Sequence, residues 1–480
     1  MLVIEYGHSI SQIVGKLNPE VCQVISDTLS YEIPNFDRTD AYLYKSWDGK
    51  LRLFHKKSKY FPTGLLNKVE AILNEYDVPY EIDGRVFPEI LGDIDDSVLR
   101  DYQVKAVLDA VEAGRGLIHH ATAAGKSFSA VGIISLIGRK SLVIVHRKEL
   151  AQQMVEHCEK QGLRVKLLQG KNSVEQAYKS GWGADVYVAM SQTLTYARKN
   201  TERLFYSLTE VIETLIIDEV HKVSAENYYD TVMAFDETPY KYGCTATVEG
   251  RSDNADMKLI AATGEVVSRE TESTLMRQGW IATPKISMLE CDATHDNRYE
   301  WASIYREGIV TNTERNEYIR DVVYHLASQG KMVLVLCNYI KHGMILKDMI
   351  NEEMPNNLPH VSFLSGKSPQ GIRIGELKRF KEASTIALIM SSIGDEGVDL
   401  PDCDAVVIAS AGMSQIKALQ RVGRALRPGS SGQAVVVDFV DKDNGTLLKH
   451  SRFRYNAYRQ RGFDTKIMSF DAFIGVTNFE

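Results

Sequence analysis

The chain has 480 residues, 44% of them hydrophobic and 25% charged, which is typical of soluble globular proteins and predicts about three domains. No run of about 18 apolar residues argues for a membrane span, and the N-terminus lacks the basic start and apolar stretch of a secretory signal. The net charge of −7 neither favours nor excludes a nucleic-acid binder. Six scattered cysteines without a Cys-x-x-Cys pair argue against a zinc site or a disulfide framework and predict a reducing cytoplasm.

The first 90 residues predict a small α/β domain that contains a basic hairpin. Six basic residues and a single acid lie between positions 45 and 59, interleaved with apolar side chains. The segment is either a half-buried hairpin with a solvated lysine face or a surface that grips duplex phosphates. In the second case the DNA-binding candidates are Lys45, Trp47, Lys50, Arg52, Lys56 and Lys57. Six phosphate contacts would give binding a log–log salt slope of about −5.

A phosphate-binding loop is predicted directly after the apolar stretch 116–118. A strand that runs through a tight loop into a helix points backbone N–H groups and the helix dipole at phosphates. The ATP-binding candidates here are Thr122, Ala123, Ala124, Gly125, Lys126 and Ser127. Lys126 would reach the β- and γ-phosphates, and the Ser127 hydroxyl would bind Mg²⁺. His120 stands where the strict pattern has its first glycine, and the alternative is a chance loop of small residues.

Short apolar runs predict two parallel sheets in series, each buried on both faces by helices. The runs lie at 141–146, 185–190, 214–219, 332–337, 386–391, 405–410 and 434–439. We expect the two sheets to be joined near residues 278–284. The predicted domains are therefore 1–90, 91–280 and 281–480.

Asp218 and Glu219 end one of these strands, about 90 residues after the phosphate loop. Asp218 would hold Mg²⁺, and Glu219 would orient or deprotonate the attacking water. An acidic pair after a strand is, taken alone, more often a solvated surface feature. Its position downstream of the Gly-Lys-Ser text favours ATP hydrolysis.

One predicted helix carries Gln420, Arg424 and Arg427 at spacings of four and three residues, so all three share a face. Such a stripe is often solvent-facing. In the second sheet domain it could instead reach ATP, where Arg424 and Arg427 would neutralise the charge of the transition state.

These three parts, in this order, resemble the superfamily-two helicases, which implies two tandem RecA-like P-loop domains. The segment 99–103 is similar to the adenine-recognition element of that family, which implies that Gln103 reads the adenine edge. The resemblance further implies ATP contacts at Gly397, Asp399 and Gln420, coupling residues at Thr245 and Thr247, and strand contacts at Arg147, Gln192 and Lys367. His221 either couples ATP to the nucleic acid or satisfies the core.

A narrower resemblance, to bacteriophage branch-migration helicases, is carried by four segments. These are residues 47–53, residues 61–65, the Ala-Gly-Lys-Ser loop and residues 449–463. That resemblance implies a monomer that uses ATP and Mg²⁺ on branched or forked DNA in a bacterial host cytoplasm, with no membrane partner. An RNA helicase or a restriction-type DNA translocase would use the same motor. An inactive strand-annealing protein is disfavoured because Lys126, Glu219 and Arg427 are present. The basic run 449–461 is either a capping helix or a second contact surface, and residues 290–313 either touch DNA or cover the sheet.

Overall fold

The computed structural model contains two α/β units, the first formed by residues 1–121 and 125–270 and the second mainly by residues 271–480. It describes residues 1–33, 36–38, 42, 44–121, 124–224, 226–246, 256–280, 284–293, 300–352, 360–385, 387–391, 403–413 and 435–475. Within these ranges, no helix combines the length and the apolar character that crossing a membrane requires.

A four-stranded mixed sheet forms the N-terminal part of the first unit. Its strands are β1 (Leu2–Glu5), β2 (Ile10–Val14), β5 (Tyr60–Pro62) and β6 (Tyr80–Asp83), in the order β5-β2-β1-β6. β1 pairs antiparallel with β2 and parallel with β6. Helices α1 (Pro19–Thr28) and α2 (Leu66–Glu75) share its hydrophobic core. A separate antiparallel pair, β3 (Ser30–Glu32) and β4 (Lys50–Arg52), carries part of the basic hairpin, so the small α/β element predicted from the sequence is confirmed.

The rest of the first unit is built on a seven-stranded parallel sheet of order β13-β7-β12-β11-β8-β10-β9. The strands are β7 (Arg115–His120), β8 (Ser141–Val145), β9 (Val165–Leu168), β10 (Val186–Met190), β11 (Thr214–Asp218), β12 (Tyr240–Thr245) and β13 (Val266–Glu270). The helices are α3 (Asp101–Ala113), α4 (Lys126–Ile137), α5 (Lys148–Lys160), α6 (Ser173–Lys179), α7 (Ser191–Asn200), α8 (Glu202–Thr209), α9 (Glu226–Met233) and α10 (Asp256–Thr263). This arrangement confirms the first RecA-like domain.

Alternation along each strand explains why these runs contain almost no polar residues. Successive side chains of a strand point to opposite faces of the sheet. In β8, Leu142 and Ile144 enter one hydrophobic cluster, whereas Val143 and Val145 enter the cluster on the opposite face. Since helices cover both faces, the four positions after Ser141 are all apolar.

The second unit contains another seven-stranded parallel sheet, of order β16-β17-β15-β18-β19-β14-β20. Its strands are β14 (Lys285–Cys291), β15 (Val333–Leu336), β16 (Ser362–Leu364), β17 (Ala387–Met390), β18 (Ala405–Ile408), β19 (Val435–Asp441) and β20 (Asp464–Met468). Its helices are α11 (Glu272–Arg277), α12 (Trp301–Tyr305), α13 (Thr313–Ser328), α14 (Ile340–Glu352), α15 (Gln370–Lys381), α16 (Gly445–Gln460) and α17 (Phe470–Ile474), and residues 306–310 form a π-helical turn. The second RecA-like domain is thereby confirmed.

The N-terminal sheet and the first parallel sheet share a hydrophobic core through α10. Ala261 is fully buried in the N-terminal cluster, and Ile260 packs against the same cluster. Gly64 approaches so closely that a Cβ atom there would lie 1.9 Å from the backbone oxygen of Ile260. Arg115 adds a polar link by donating to the carbonyl oxygens of His8 and Thr263. The N-terminal element is therefore packed onto the first parallel sheet, while the domain boundary near residue 90 stays a prediction.

The basic run of the C-terminal helix α16 divides into one interior residue and several surface residues. Arg454 is 2% exposed and forms two parallel hydrogen bonds with the carboxylate of Asp438, at 2.8 and 2.9 Å. The hydroxyl of Tyr458 donates to the same carboxylate at 2.8 Å. Lys449 and Arg452 are exposed. The capping-helix interpretation therefore holds for Arg454, and the exposed residues stay candidates for a contact surface.

Candidate nucleotide and nucleic-acid sites

Three neighbouring strands of the first parallel sheet bring the candidate catalytic residues to one edge. β12 lies between β7 and β11, and all three run in parallel. Lys126 follows β7, Thr245 ends β12 and Asp218 ends β11. The carboxyl edge of such a sheet is where α/β proteins bind ligands. The structure thus places Lys126, Thr245 and the acidic pair along a single edge.

The phosphate loop turns into α4 at Gly125, whose φ of +72° lies in the left-handed region that favours glycine. Lys126 begins the helix, and its Nζ donates to the backbone oxygens of His120 and Ala121, each at 3.3 Å. Ser127 lies in the first turn of α4, where backbone N–H groups have no partner within the helix. The ammonium group and the N-terminal end of a 12-residue helix therefore face the same loop, as phosphate binding requires.

Gln103 supports this loop from α3. Its side chain is 3% exposed, and its amide donates to the backbone oxygen of Gly125 at 3.3 Å. Its carbonyl oxygen accepts from the backbone N–H of Arg100 at 2.9 Å. A Cβ atom at Gly125 would lie 2.6 Å from the Gln103 amide nitrogen. The same side chain therefore caps α3 and holds the phosphate loop, and its reading of adenine stays a prediction.

His120, the departure from the strict phosphate-loop pattern, has its ring in the interior. Its Nε2 lies 2.8 Å from the hydroxyl of Ser268 on β13. Burial lowers the pKa of His120 to about 3, and the charges of Lys126 and His119 add to this effect. The ring is therefore neutral at physiological pH. Only its backbone oxygen contacts Lys126, which explains how the loop tolerates a histidine where other proteins have glycine.

The acidic pair at the end of β11 is held in an electrostatically unfavourable arrangement. Burial, and then the neighbouring charge of Glu219, raise the pKa of Asp218 to about 6, while Lys126 opposes the shift. Glu219 has a φ of +50°, a left-handed conformation that costs a non-glycine residue about 1–2 kcal/mol. A bound cation would relieve the repulsion between the two carboxylates.

The strained backbone of Glu219 directs its carboxylate to His221. The Glu219 Oε2 atom lies 3.1 Å from Nδ1 of His221, which in turn lies 3.4 Å from the hydroxyl of Thr245. Thr245 is fully buried at the end of β12. A polar chain thus connects the ends of β11 and β12. The role of His221 in coupling stays a prediction.

The donors near the loop fit Mg²⁺ bound together with ATP. Mg²⁺ prefers oxygen ligands and usually keeps several waters, so one or two protein oxygens are enough. The hydroxyl of Ser127 and the carboxylate of Asp218 are such ligands. Across the ranges that the structure describes, no group of three or more His, Cys, Asp and Glu side chains could hold a metal ion. Two such oxygens would suit a metal that the nucleotide phosphates also bind and whose charge would neutralise theirs.

Asp218→Asn is expected to stabilise the nucleotide-free protein while removing the Mg²⁺ ligand. Because the folded state raises the pKa of this acid, its ionisation costs stability above about pH 6, and the cost disappears below about pH 4. We expect the variant to gain about 1–2 kcal/mol at pH 8 and little at pH 4. Thermal melts at the two pH values measure this difference. Asp77→Asn, an exposed aspartate in the same unit, is the control, and a gain independent of pH would contradict the prediction.

A cavity of about 210 Å³ beside the phosphate loop was not predicted from the sequence. Its apolar wall includes Val98, Leu99 and Phe128, and its rim includes His157 and Lys160. The Phe128 ring stacks on His157 at a centroid distance of 4.8 Å. It is 43% exposed although it follows the Gly-Lys-Ser text directly. An aromatic residue at that position was the available signal in the sequence.

The hairpin residues that are predicted to contact DNA differ in their exposure and in their hydrogen-bond and ion-pair partners. Lys45, Lys56 and Lys57 are exposed, and the Trp47 ring nitrogen donates to the backbone oxygen of Lys50 at 2.9 Å. Arg52 instead forms ion pairs within this element. Its guanidinium lies 2.6 Å from the carboxylate of Asp48 and 3.2 Å from that of Asp27. Arg52 thus holds the hairpin together, whatever else it binds.

The other predicted strand contacts lie at strand ends. Arg147 follows β8, and Gln192 is exposed in the first turn of α7, after the neighbouring strand β10. The two loops are joined by a 3.0 Å contact between Nδ1 of His146 and the hydroxyl of Ser191. In the second unit, Lys367 is exposed after β16. Eight predicted residues lie outside the described residues, namely Thr122, Ala123, Thr247, Gly397, Asp399, Gln420, Arg424 and Arg427.

Comparison with known proteins agrees with this division into two domains. Residues 96–250 match the family described as "Type III restriction enzyme, res subunit", and residues 314–429 match "Helicase conserved C-terminal domain". Together the two stretches cover more than half of the chain. Rad25 of Haloarcula marismortui, named as a candidate DNA 3′–5′ helicase, is 26% identical over 347 residues, which are 71% of this chain and 52% of that protein. The chain thus spans about half the length of the first curated relatives that it matches.

Two solved structures are also similar. The ATP-dependent type ISP restriction-modification enzyme LlaBIII bound to DNA has a TM-score of 0.58 at 15% identity, over 77% of this chain and 31% of that one. T4 UvsW has a TM-score of 0.46 at 18% identity, over 98% of this chain and 99% of that one. With two helicase domain families matched in order on two RecA-like sheets, the chain belongs to the superfamily-two helicases.

Proposed function

We propose that this protein is an ATP-driven DNA translocase that remodels or unwinds DNA, with ATP and Mg²⁺ as its cofactors. The observation that carries the proposal is the single sheet edge that holds Lys126, Asp218 and Glu219, with the contact from Glu219 through His221 to Thr245. A site that only hydrolyses ATP would not require the contact from Glu219 through His221 to Thr245. The connection offers a route from the nucleotide to the neighbouring strand end.

Each residue of the site has a defined task in the proposal. Lys126 neutralises the phosphates, and Glu219 orients or deprotonates the attacking water. Asp218 and Ser127 hold the metal, which supplies charge neutralisation at the phosphates. Arg424 and Arg427 are proposed to stabilise the transition-state charge, an effect of about 10³–10⁵ in rate in related phosphoryl-transfer enzymes.

The base of the nucleotide is proposed to occupy the cavity beside Phe128. The cavity is lined by both apolar and polar side chains, and Phe128, one of the lining residues, lies in the first turn of α4 after the loop. Gln103 sits on the polar side of the same loop. A flat, largely apolar group with one polar edge fits this combination.

Two of the similar proteins favour DNA as the substrate, whereas two others carry the names of RNA helicases. Rad25 carries the name of a DNA helicase, and LlaBIII was solved bound to DNA. RNA remains the second candidate, because nothing in the Asp-Glu-Val-His text distinguishes the two nucleic acids. A restriction-type translocase is the other alternative on this motor, and an inactive strand-annealing protein is the least favoured.

Branched or forked DNA is the finer proposal, and it rests on the resemblance of the N-terminal text to branch-migration helicases. The exposed Lys45, Lys56 and Lys57 form a surface suited to duplex phosphates, which position a protein without reading sequence. Branch migration breaks and forms equal numbers of base pairs, whereas unwinding must overcome about 1.4 kcal/mol of stacking per step. We also propose that the protein acts as a monomer in the cytoplasm, where its six free cysteines would stay reduced.

The test is a panel of steady-state ATPase rates with Lys126→Ala as the blank. The panel compares no nucleic acid, single-stranded DNA, linear duplex, a four-way junction and structured RNA. Stimulation by DNA, strongest with the junction and absent in the blank, is the expected result. Stimulation by RNA alone would contradict the substrate and keep the ATP site. Equal rates for the wild type and the blank under every condition would contradict the motor itself.

A further inference from the structure

The second unit carries a run of contacting aromatic rings that the proposed motor does not use. The Trp301 ring lies 5.4 Å from that of Tyr305, which lies 5.2 Å from that of Tyr339. On its other side, Trp301 packs against His450 at 4.6 Å. Tyr305 is buried, but Trp301 is 41% and Tyr339 55% exposed. Two exposed rings are therefore linked through one buried ring.

The buried ring is fixed at the carboxyl edge of the second sheet. Asn338, directly after β15, donates its side-chain amide to the Tyr305 hydroxyl at 2.8 Å. The backbone N–H of Ala411, in the loop after the neighbouring strand β18, donates to the same hydroxyl at 3.4 Å. The π-helical turn at 306–310 follows Tyr305 directly, and such turns are rare and frequent at functional sites. The buried ring that both exposed rings contact is thus held at the sheet edge.

The segments of the chain that carry the rings are rich in basic residues. The segments 300–306, 339–344 and 449–453 contain four arginine and lysine residues and one acid. Arg306, Lys341, Lys449 and Arg452 are all exposed. Glu307 pairs with Arg306 at 2.8 Å, yet the Arg306 side chain stays 63% exposed. On helix α16, Lys449 and Phe453 flank His450, the residue on which Trp301 rests.

We propose that Trp301 and Tyr339 form a platform on which unpaired bases of a single nucleic-acid strand stack. Every base has an aromatic face, so stacking on exposed rings is independent of sequence, and surrounding cations hold the phosphates. The four basic side chains match this chemistry better than an apolar protein partner, whose interface would be depleted of lysine. The inference rests on the proposed nucleic-acid function and adds a base-binding surface outside the helicase motifs.

The experiment measures binding of the full chain to a labelled oligo-dT strand and to an abasic strand of equal length. Trp301→Ala and Tyr339→Ala are each expected to weaken oligo-dT binding about tenfold and to leave binding of the abasic strand unchanged. Trp301→Phe keeps a ring and is expected to bind like the wild type. Tyr206→Ala removes a comparably exposed tyrosine from α8 in the first unit and is the matched control.

Three other outcomes would contradict the proposed platform, each in a different way. Equal oligo-dT binding by the wild type and both alanine variants would remove the platform and leave the proposed motor intact. Equal losses on oligo-dT and on the abasic strand would show that the rings support the fold or the phosphate contacts and do not stack on bases. A wild-type protein that binds neither strand nor any other nucleic acid would overturn the proposed function together with the platform.

Discussion

Glu219→Gln is expected to lower ATP turnover by about 10²–10⁴-fold while leaving ATP binding intact. The substitution keeps the size of the side chain but removes the negative charge that would orient or deprotonate water. Asp218, Lys126 and Ser127 are unchanged, so the phosphates and the metal keep their partners. Phosphate release at saturating ATP and DNA measures turnover, and a fluorescent nucleotide measures binding.

Lys126→Ala and Glu175→Gln are the comparisons for this variant. Lys126→Ala is expected to lose binding as well as turnover, because it removes the ammonium group of the phosphate loop. Glu175→Gln makes the same substitution at an exposed position on α6 and is expected to match the wild type. Turnover by Glu219→Gln close to the wild-type rate would exclude Glu219 from the chemistry.

Arg454→Ala is expected to destabilise the second unit by about 3–5 kcal/mol. The substitution leaves the carboxylate of Asp438, which is fully buried, without its guanidinium partner. It also removes the hydrogen bonds from Arg454 to the backbone oxygens of Gly412, in the loop after β18, and of Phe439, in β19. For a unit of about 200 residues, the loss corresponds to a drop in melting temperature on the order of 10 °C.

Arg452→Ala is the matched control, since Arg452 is exposed two residues away on the same helix and is expected to change stability by about 0.5 kcal/mol or less. Arg454→Lys keeps the charge without the two parallel bonds and should lie between alanine and the wild type. Thermal melts give the overall effect, and hydrogen exchange of the β19 amides reports on the second unit directly. Equal stability of the alanine variants at 452 and 454 would show that the buried pair adds nothing.

The strands of both sheets could be predicted because a strand that is buried on both faces requires an almost continuous run of apolar residues. Runs such as 141–146 and 405–410 contain no polar residue except at their ends, and each contains a strand. The phosphate loop could be predicted because its glycine and lysine are demanded by local geometry. Gly125 has the left-handed φ, and Lys126 begins the helix.

Features that depend on contacts between distant residues could not be predicted. No local pattern indicates that Gln103 hydrogen-bonds to Gly125, or that His120 turns its ring towards Ser268. Charge patterns were equally ambiguous. Arg454 and Arg452 look alike in the sequence, and only the buried carboxylate of Asp438 separates the interior residue from the surface one. A basic run in the sequence therefore does not indicate which of its residues are exposed. That is decided by tertiary packing.

The core shared by the N-terminal sheet and α10 has a consequence for how force would pass through the molecule. Gly64 rests on the backbone of Ile260 and Ala261 is buried in the N-terminal cluster, so the N-terminal sheet is packed directly onto α10 of the first parallel sheet. A force applied to the N-terminal sheet would therefore pass through this shared core to the first parallel sheet. A cut near residue 90 would expose this apolar face to water, so we expect the N-terminal sheet and the first parallel sheet to fold as one unit.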